Sequence, residues 1–240
     1  MNVKKASKRL FGVPLFFVAT LLVATTCHAI PALQIYIEGA TYDHDIESWI
    51  VDQRDLTLWV VGNVGQKGPI LDVQLAAAYM TSESGPISVT GTTTSMLTDP
   101  SASADPGSPY VSADGEVPTM SDGSPLPRHG TYGAGVSFMQ WSLGDFTLTD
   151  SEVGDFTGGF PTSFPQSGQI NAYNVSISAG ISVVRFDAFN HVEGKTGALF
   201  GPFSHGGVAA PVPEPGTFAL LGLALAGAGF ASLRRRKRKN

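Results

Sequence analysis

The chain has 240 residues, with 15 basic and 20 acidic side chains and a formal net charge of −5. That figure conceals a segregation: residues 1–29 hold Lys4, Lys5, Lys8 and Arg9 and no acid, every residue from Arg234 to Lys239 is basic, and residues 30–207 carry five bases against 19 acids, a formal net charge of −14. A body so acidic is repelled by phosphate backbones, which excludes nucleic acid as a partner class.

The basic start leads into the apolar run "LFGVPLFFVATLLVA", residues 10–24, and then "TTCHA". Cys27 and Ala29 are small residues at −3 and −1 of a bond after Ala29, so residues 1–29 read as a signal peptide cleaved at Ala29. A transmembrane helix is the plainer alternative. The run is shorter than the roughly 20 residues a bilayer requires, and Pro14 interrupts it. A lipoprotein reading through Cys27 meets Thr26, a bulky residue before such a cysteine. Cleavage removes the only cysteine, so the mature chain has no disulfide, no thiolate nucleophile and no cysteine-ligated metal.

The body reads as strands separated by turns. "LQIYIEGA", 33–40, alternates apolar and polar residues as a half-buried strand does. "SWIVD", 48–52, follows a "TYDHDIE" segment able to turn the chain back as a hairpin. In "DLTLWVVGNVG", 55–65, Leu58, Val60 and Gly62 face one way and Trp59 and Val61 the other. "GPILDVQLAAAYM", 68–80, by strict alternation places Ile70, Asp72, Gln74 and Ala76 opposite Leu71, Val73, Leu75 and Ala77. "PISVTGTTT", 86–94, is a further strand.

Residues 95–135 are rich in Pro, Gly, Ser and Asp and read as long loops with one short strand near Tyr110. A loop of that length inside a domain is either functional or poorly ordered. Strands resume at "VSFMQWSLGDFTLTD", 136–150, and "GQINAYNVSISAGISVVRFDAFNHV", 168–192, reads as two strands around Ala179-Gly180. No stretch between 30 and 207 has a convincing helical period. Eight to eleven short strands imply an all-β fold: a single β-sandwich, Ig-like or jelly-roll-like, with long loops.

Several segments of this body, "PALQIYIEGATYD", "TLWVVGNVGQKGPILDVQLAAAY", "LPRHGTYG", "SLGDFTLTDS", "SGQINAYNVSI" and "GPFSH", resemble the choice-of-anchor N proteins. These are bacterial surface proteins whose shared body carries alternative C-terminal anchoring signals. The resemblance covers most of residues 31–205 and implies a surface address, with no activity to transfer.

The tail, residues 208–240, has three parts. "VPEPG", 212–216, contains two prolines that hold the chain extended around Glu214. Residues 217–233 are uncharged and as a helix would span about 26 Å, close to a hydrocarbon core of about 30 Å. The bases at 234–239 then stay cytoplasmic. A buried helix of a soluble domain has little reason to end in "RRRKRKN". The layout resembles the PEP-CTERM sorting signal of Gram-negative bacteria, recognised by an exosortase. Val212, Pro213, Glu214 and Pro215 match its recognition motif, and the resemblance implies cleavage near the motif and release from the membrane.

The body is poor in chemical signatures. His44, His129, His191 and His205 show no metal-ligand spacing, there is no nucleophile elbow, P-loop or dinucleotide fingerprint, and no cofactor is implied. "YDHD", 42–45, is the most ligand-like cluster, set against a solvated hairpin tip. "GDFT" occurs at 144–147 and 154–157. Asp145, Asp150 and Asp155 could gather around calcium, but the spacing fits no known loop, and a turn before an inward Phe, used twice, explains it as well. Among the aromatics Trp59 reads as core, while Trp49 and Trp141 are candidate glycan-contacting residues.

Three functions follow in order. The first is a non-enzymatic, exosortase-sorted surface or extracellular-matrix protein. It passes through the inner membrane transiently and has exopolysaccharide as its candidate partner. The second is a carbohydrate-binding module. The third is a polysaccharide hydrolase, which needs two carboxylates in a cleft, at least one of them with a raised pKa.

Overall fold

A computed structural model describes residues 30–94, 103–127 and 133–200, with the backbone alone at 198–200 and 206–209. The described chain forms two β-sheets facing one another. The five-stranded sheet runs β1 (Leu33–Ile37), β4 (Asp55–Gly62), β10 (Gln166–Ile177) and β6 (Ile87–Thr92), with β9 (Ser151–Val153) paired to the start of β10. All its pairings are antiparallel.

The eight-stranded sheet runs β2 (Thr41–Asp43), β3 (Ser48–Val51), β13 (Gly206–Ala209), β11 (Val184–Val192), β5 (Ile70–Met80), β8 (Val136–Phe146) and β7 (Tyr110–Val111). There β12 (Ala198–Phe200) pairs with β11. β13 lies parallel to β3 and antiparallel to β11. One helical turn, α1 (Val64–Lys67), follows β4.

The expected hairpin is β2–β3, and the short strand expected near Tyr110 is β7. Residues 168–192 do make two strands. They belong to different sheets, so the link through Ala179-Gly180 crosses the sandwich rather than closing a hairpin.

The inward faces meet in one core. β1 contributes Leu33, Ile35 and Ile37, and β4 contributes Leu56, Leu58 and Val60; opposite them lie Val73, Leu75 and Ala77 of β5, Trp141 of β8 and Phe186 of β11. The alternation in β4 holds: Leu58 and Val60 face this core, while Trp59 and Val61 join a second cluster on the outer side.

In β5 the alternation fails. Ile70 and Val73 both enter the core. The register against β8 shifts between them, and Asp72 takes a φ of 51°. This is a β-bulge: one extra residue in the left-handed region lets two apolar side chains three apart share a face. The Asp145 carboxylate accepts the Asp72 N–H at 2.8 Å and holds the bulge.

Both sheets are also partly covered on their outer faces. Residues 153–164 lie over β1, β4 and β10, with Val153 and Phe156 fully buried against Tyr36, Trp59 and Ile170. Met120 and Leu126, from the turn-rich stretch, lie over Ala76, Phe138 and Phe189 of the larger sheet. Within the described residues 103–127, the stretch 117–126 is therefore a packed cover. It is closed on itself by Met120 N–H to Ser124 O at 2.8 Å and Leu126 N–H to Pro118 O at 2.8 Å. The expectation that β1 is half-buried is corrected for the same reason: all five of its residues are buried because both its faces are covered.

Candidate functional site

The outer face of the five-stranded sheet is organised in cross-strand rows. In the first row Tyr36 of β1 stands beside Trp59 of β4, which pairs with Ala172 of β10. Two residues along, Thr57 pairs with Asn174, which pairs with Thr90 of β6, and the Glu38 N–H donates to Thr57 O at 2.9 Å. In the third row Asp55 pairs with Ser176, which pairs with Ser88. The rows are roughly 7 Å apart, two residues of strand rise.

The first row is buried and the other two are open. The dividing line is the 153–164 segment, anchored by Gln34. The Gln34 amide, itself fully buried, donates through Nε2 to Gly154 O at 3.1 Å and accepts the Phe156 N–H at 2.8 Å through Oε1. Phe156, Phe160 and Phe164 pack on one another, with ring centroids 5.7, 5.9 and 6.4 Å apart in edge-on geometry. Phe160 ends this array. Its ring lies edge-on to Tyr36 at 5.2 Å and to Trp59 at 6.4 Å and keeps 38% of its surface exposed.

The second and third rows line a groove of about 440 Å³, with Glu38 and Gln53 at its border. That volume lies within the usual range for small-molecule sites. Its surface is hydroxyl, amide and carboxylate, with no lysine, arginine or histidine in the lining. Glu38 is fixed in place: its Oε1 accepts the Trp59 indole N–H at 2.8 Å. The buried row thus orients a side chain of the open one.

The two tryptophans proposed as glycan contacts do not fit that role. Trp49 is 3% exposed and Trp141 1%. Trp141 points between the sheets, where it packs with the main core beside its strand partner Leu75. Trp49 joins the outer cluster, edge-on to Tyr36 at 4.9 Å and to Tyr42 at 5.2 Å. Neither offers a ring face to solvent. Among the described residues Tyr110 and Phe160 keep exposed rings; Phe160 is the one on this face of the five-stranded sheet, and its sequence signal is the aromatic spacing of Phe156, Phe160 and Phe164.

The "YDHD" segment forms the tip of the β2–β3 hairpin. Asp43 Oδ1 accepts the N–H of Asp45 at 2.8 Å, and the His44 ring rests edge-on against Tyr42 at 5.1 Å. The two "GDFT" copies each bury their phenylalanine, Phe146 in the main core and Phe156 in the outer cluster. Their aspartates are used locally and apart. Asp145 holds the β5 bulge, and Asp155 accepts both the N–H of Thr157 at 2.9 Å and its hydroxyl at 2.5 Å. Asp114 accepts the Thr81 hydroxyl at 2.7 Å and the Gly135 N–H at 2.7 Å, and these bonds hold its carboxyl below the usual range. A general acid requires a shift in the opposite sense.

Ala29, the expected signal-peptide cleavage residue, and the motif Val212, Pro213, Glu214 and Pro215 lie outside the described residues, as do the expected membrane helix 217–233 and the histidines His129 and His205. The last described strand, β13, ends at Ala209.

Comparison with known families and structures adds the following. A family model for the PEP-CTERM protein-sorting motif matches residues 211–237. The chain thus carries an exosortase sorting signal and is an exported protein processed at the membrane. No curated protein matches.

Among solved structures, the C-terminal domain of the Streptococcus agalactiae AgI/II polypeptide BspA is similar at 11% identity, over 75% of this chain and 50% of that one, with a TM-score of 0.25. A structure titled BspA_C_mut gives 10% identity over 75% and 46%, with a TM-score of 0.22. This chain spans about half the length of those chains. Likenesses at these scores carry no argument, and the fold rests on its own strand pairing.

Proposed function

We propose that this chain is a non-enzymatic surface or extracellular-matrix protein of a Gram-negative cell. In this reading an exosortase cuts it from the inner membrane, and its matrix partner is exopolysaccharide. The observation that carries the reading is the sorting motif matched at 211–237, directly after a strand that belongs to the folded body and ends at Ala209. The body's resemblance to the choice-of-anchor N proteins supports the same address. Its acidic composition suits a protein that stays soluble outside the cell. An open groove lined by hydroxyls and amides, with the carboxylates of Glu38 and Asp55 beside them, supports a binding role for the body; two carboxylates are also what a polysaccharide hydrolase would need, and an assay for new reducing ends separates the two readings.

Intact mass spectrometry of the protein from its native host, after separating membrane and extracellular fractions, tests the address. The expected product begins near Ile30, ends near Pro215 and is found outside the inner membrane. A product that keeps Arg234–Asn240 and stays in the membrane overturns the reading. Release of new reducing ends from host exopolysaccharide by the purified protein would overturn its non-enzymatic part.

A further inference from the structure

We propose that the groove between β4, β10 and β6 binds a polysaccharide chain free of acidic groups, with the exposed ring of Phe160 as its apolar contact. The proposal deepens the matrix reading above and rests on it for the source of the ligand.

Four observations converge on this face. The first is shape. The outer face of the sheet is covered over its Tyr36–Trp59–Ala172 row and left open over the next two, so the cover ends in a step beside a concave strip. An extended chain can lie along such a strip against the paired strands.

The second is lining chemistry. Thr57, Asn174 and Thr90 stand side by side in one row and Ser176 and Ser88 in the next. Hydroxyls and amides both donate and accept, as sugar hydroxyls do. Glu38 and Asp55 at the strip accept only, and each carboxylate can take two hydroxyl donors.

The third observation is the ring. Phe160 lies over Tyr36, 5.2 Å away between ring centroids, and Tyr36 and Trp59 stand one row, roughly 7 Å of strand rise, from Glu38 and Thr57. The Phe160 ring is held edge-on by Tyr36 and Trp59, so its orientation is set before any ligand arrives. The same Trp59 fixes Glu38 through its indole N–H. One buried residue therefore positions both the polar and the apolar half of the contact, and preorganisation of that kind lowers the cost of binding.

The fourth is charge. The lining contains two carboxylates and no cation, and the body around it has a formal net charge of −14. A uronate- or phosphate-bearing polymer meets like charge at the site and at long range. A neutral chain does not, and an amine-bearing chain is attracted.

The test uses the full-length chain in detergent micelles, so that binding is read whether or not the tail is processed. Isothermal titration is run with hexamers of a neutral glucan, with glucosamine hexamers and with polyuronate hexamers. The expected result is binding of the neutral or the amino hexamer and none of the polyuronate. Phe160→Ala should weaken that binding by about fivefold or more, the scale of one lost aromatic anchor. Asn174→Ala, on the open row, is a second variant that does not touch the aromatic cover and should weaken it likewise. A ligand that loses affinity in Glu38→Gln much more than a neutral one does is held through its amine.

Binding of the polyuronate as tight as that of the other two overturns the proposal. So does binding of none of the three, or unchanged affinity in both Phe160→Ala and Asn174→Ala. If mass spectrometry instead finds the tail retained, the matrix reading fails while the groove's titration still stands, and the two failures are told apart.

Discussion

Replacing Gln34 by leucine removes a side chain of similar size together with both hydrogen bonds that tie residues 154–156 to β1. The Gly154 carbonyl and the Phe156 N–H then lie buried without partners. An unsatisfied buried polar group costs about 1–3 kcal/mol, so the pair costs about 2–6 kcal/mol, offset by up to about 1 kcal/mol from the added apolar surface. For a body of this size each kcal/mol moves Tm by about 2–4 °C. The expected loss is therefore about 2–24 °C, centred near 10 °C, read by circular dichroism on the exported protein. The lesion is local, so Trp59 should report it as well: its emission shifts to the red when Phe156 no longer packs on it at 6.1 Å. A double-mutant cycle with Phe156→Ala should be strongly non-additive, because either change frees the same segment. A Tm drop below about 1 °C, or simple additivity in the cycle, would refute the claim that Gln34 anchors the cover.

Burial pushes the Tyr173 hydroxyl up to about 12, partly opposed by the Asn171 amide that donates to it at 3.1 Å. Its folded value therefore exceeds the unfolded value of about 10, so its contribution is fully present below pH 10 and disappears as pH rises from about 10 to 12, a loss of up to about 3 kcal/mol. Urea midpoints measured from pH 9 to 11.5 should fall more steeply in the native protein than in Tyr173→Phe; parallel curves would sink this assignment. Gly168→Ala places a methyl carbon 2.0 Å from the Gly62 carbonyl oxygen and 2.9 Å from Val153. Because the first obstacle is the backbone of a central strand, the expected cost is about 3 kcal/mol or more, seen as a collapse of the urea midpoint. A midpoint within error of the native protein would show that β4 and β10 can separate there.

Much of the strand layout is legible in period-2 patterns. Leu58 and Val60 against Trp59 and Val61 is a plain case, because the alternation there reflects two real faces. The pattern misleads where a face is covered by something distant in sequence. Gln34 and Tyr36 read as the solvent side of β1, yet both are buried by a segment more than a hundred residues away. Trp49 and Trp141 read as candidate glycan contacts for the same reason: both are buried by residues distant in sequence, and polar neighbours do not mark the outside. The β5 bulge is invisible to strict alternation, because one residue at positive φ resets the phase for every residue before it. The open groove could not be anticipated from spacing. Its residues come from three strands and two loops, and it exists only because the 153–164 cover stops one row short.

The amino-acid sequence by itself determined the sorting signal and the fold class. A sorting motif is read as a linear peptide, a membrane span is a matter of local hydropathy, and strand period is a local property of the backbone. Tertiary structure alone decided which aromatics are anchors and which is a surface. It also decided which sheet each strand joins, and where a polar strip is left uncovered. Those outcomes depend on contacts between residues far apart in the chain, and burial is a property of the assembled layers, not of any segment within them.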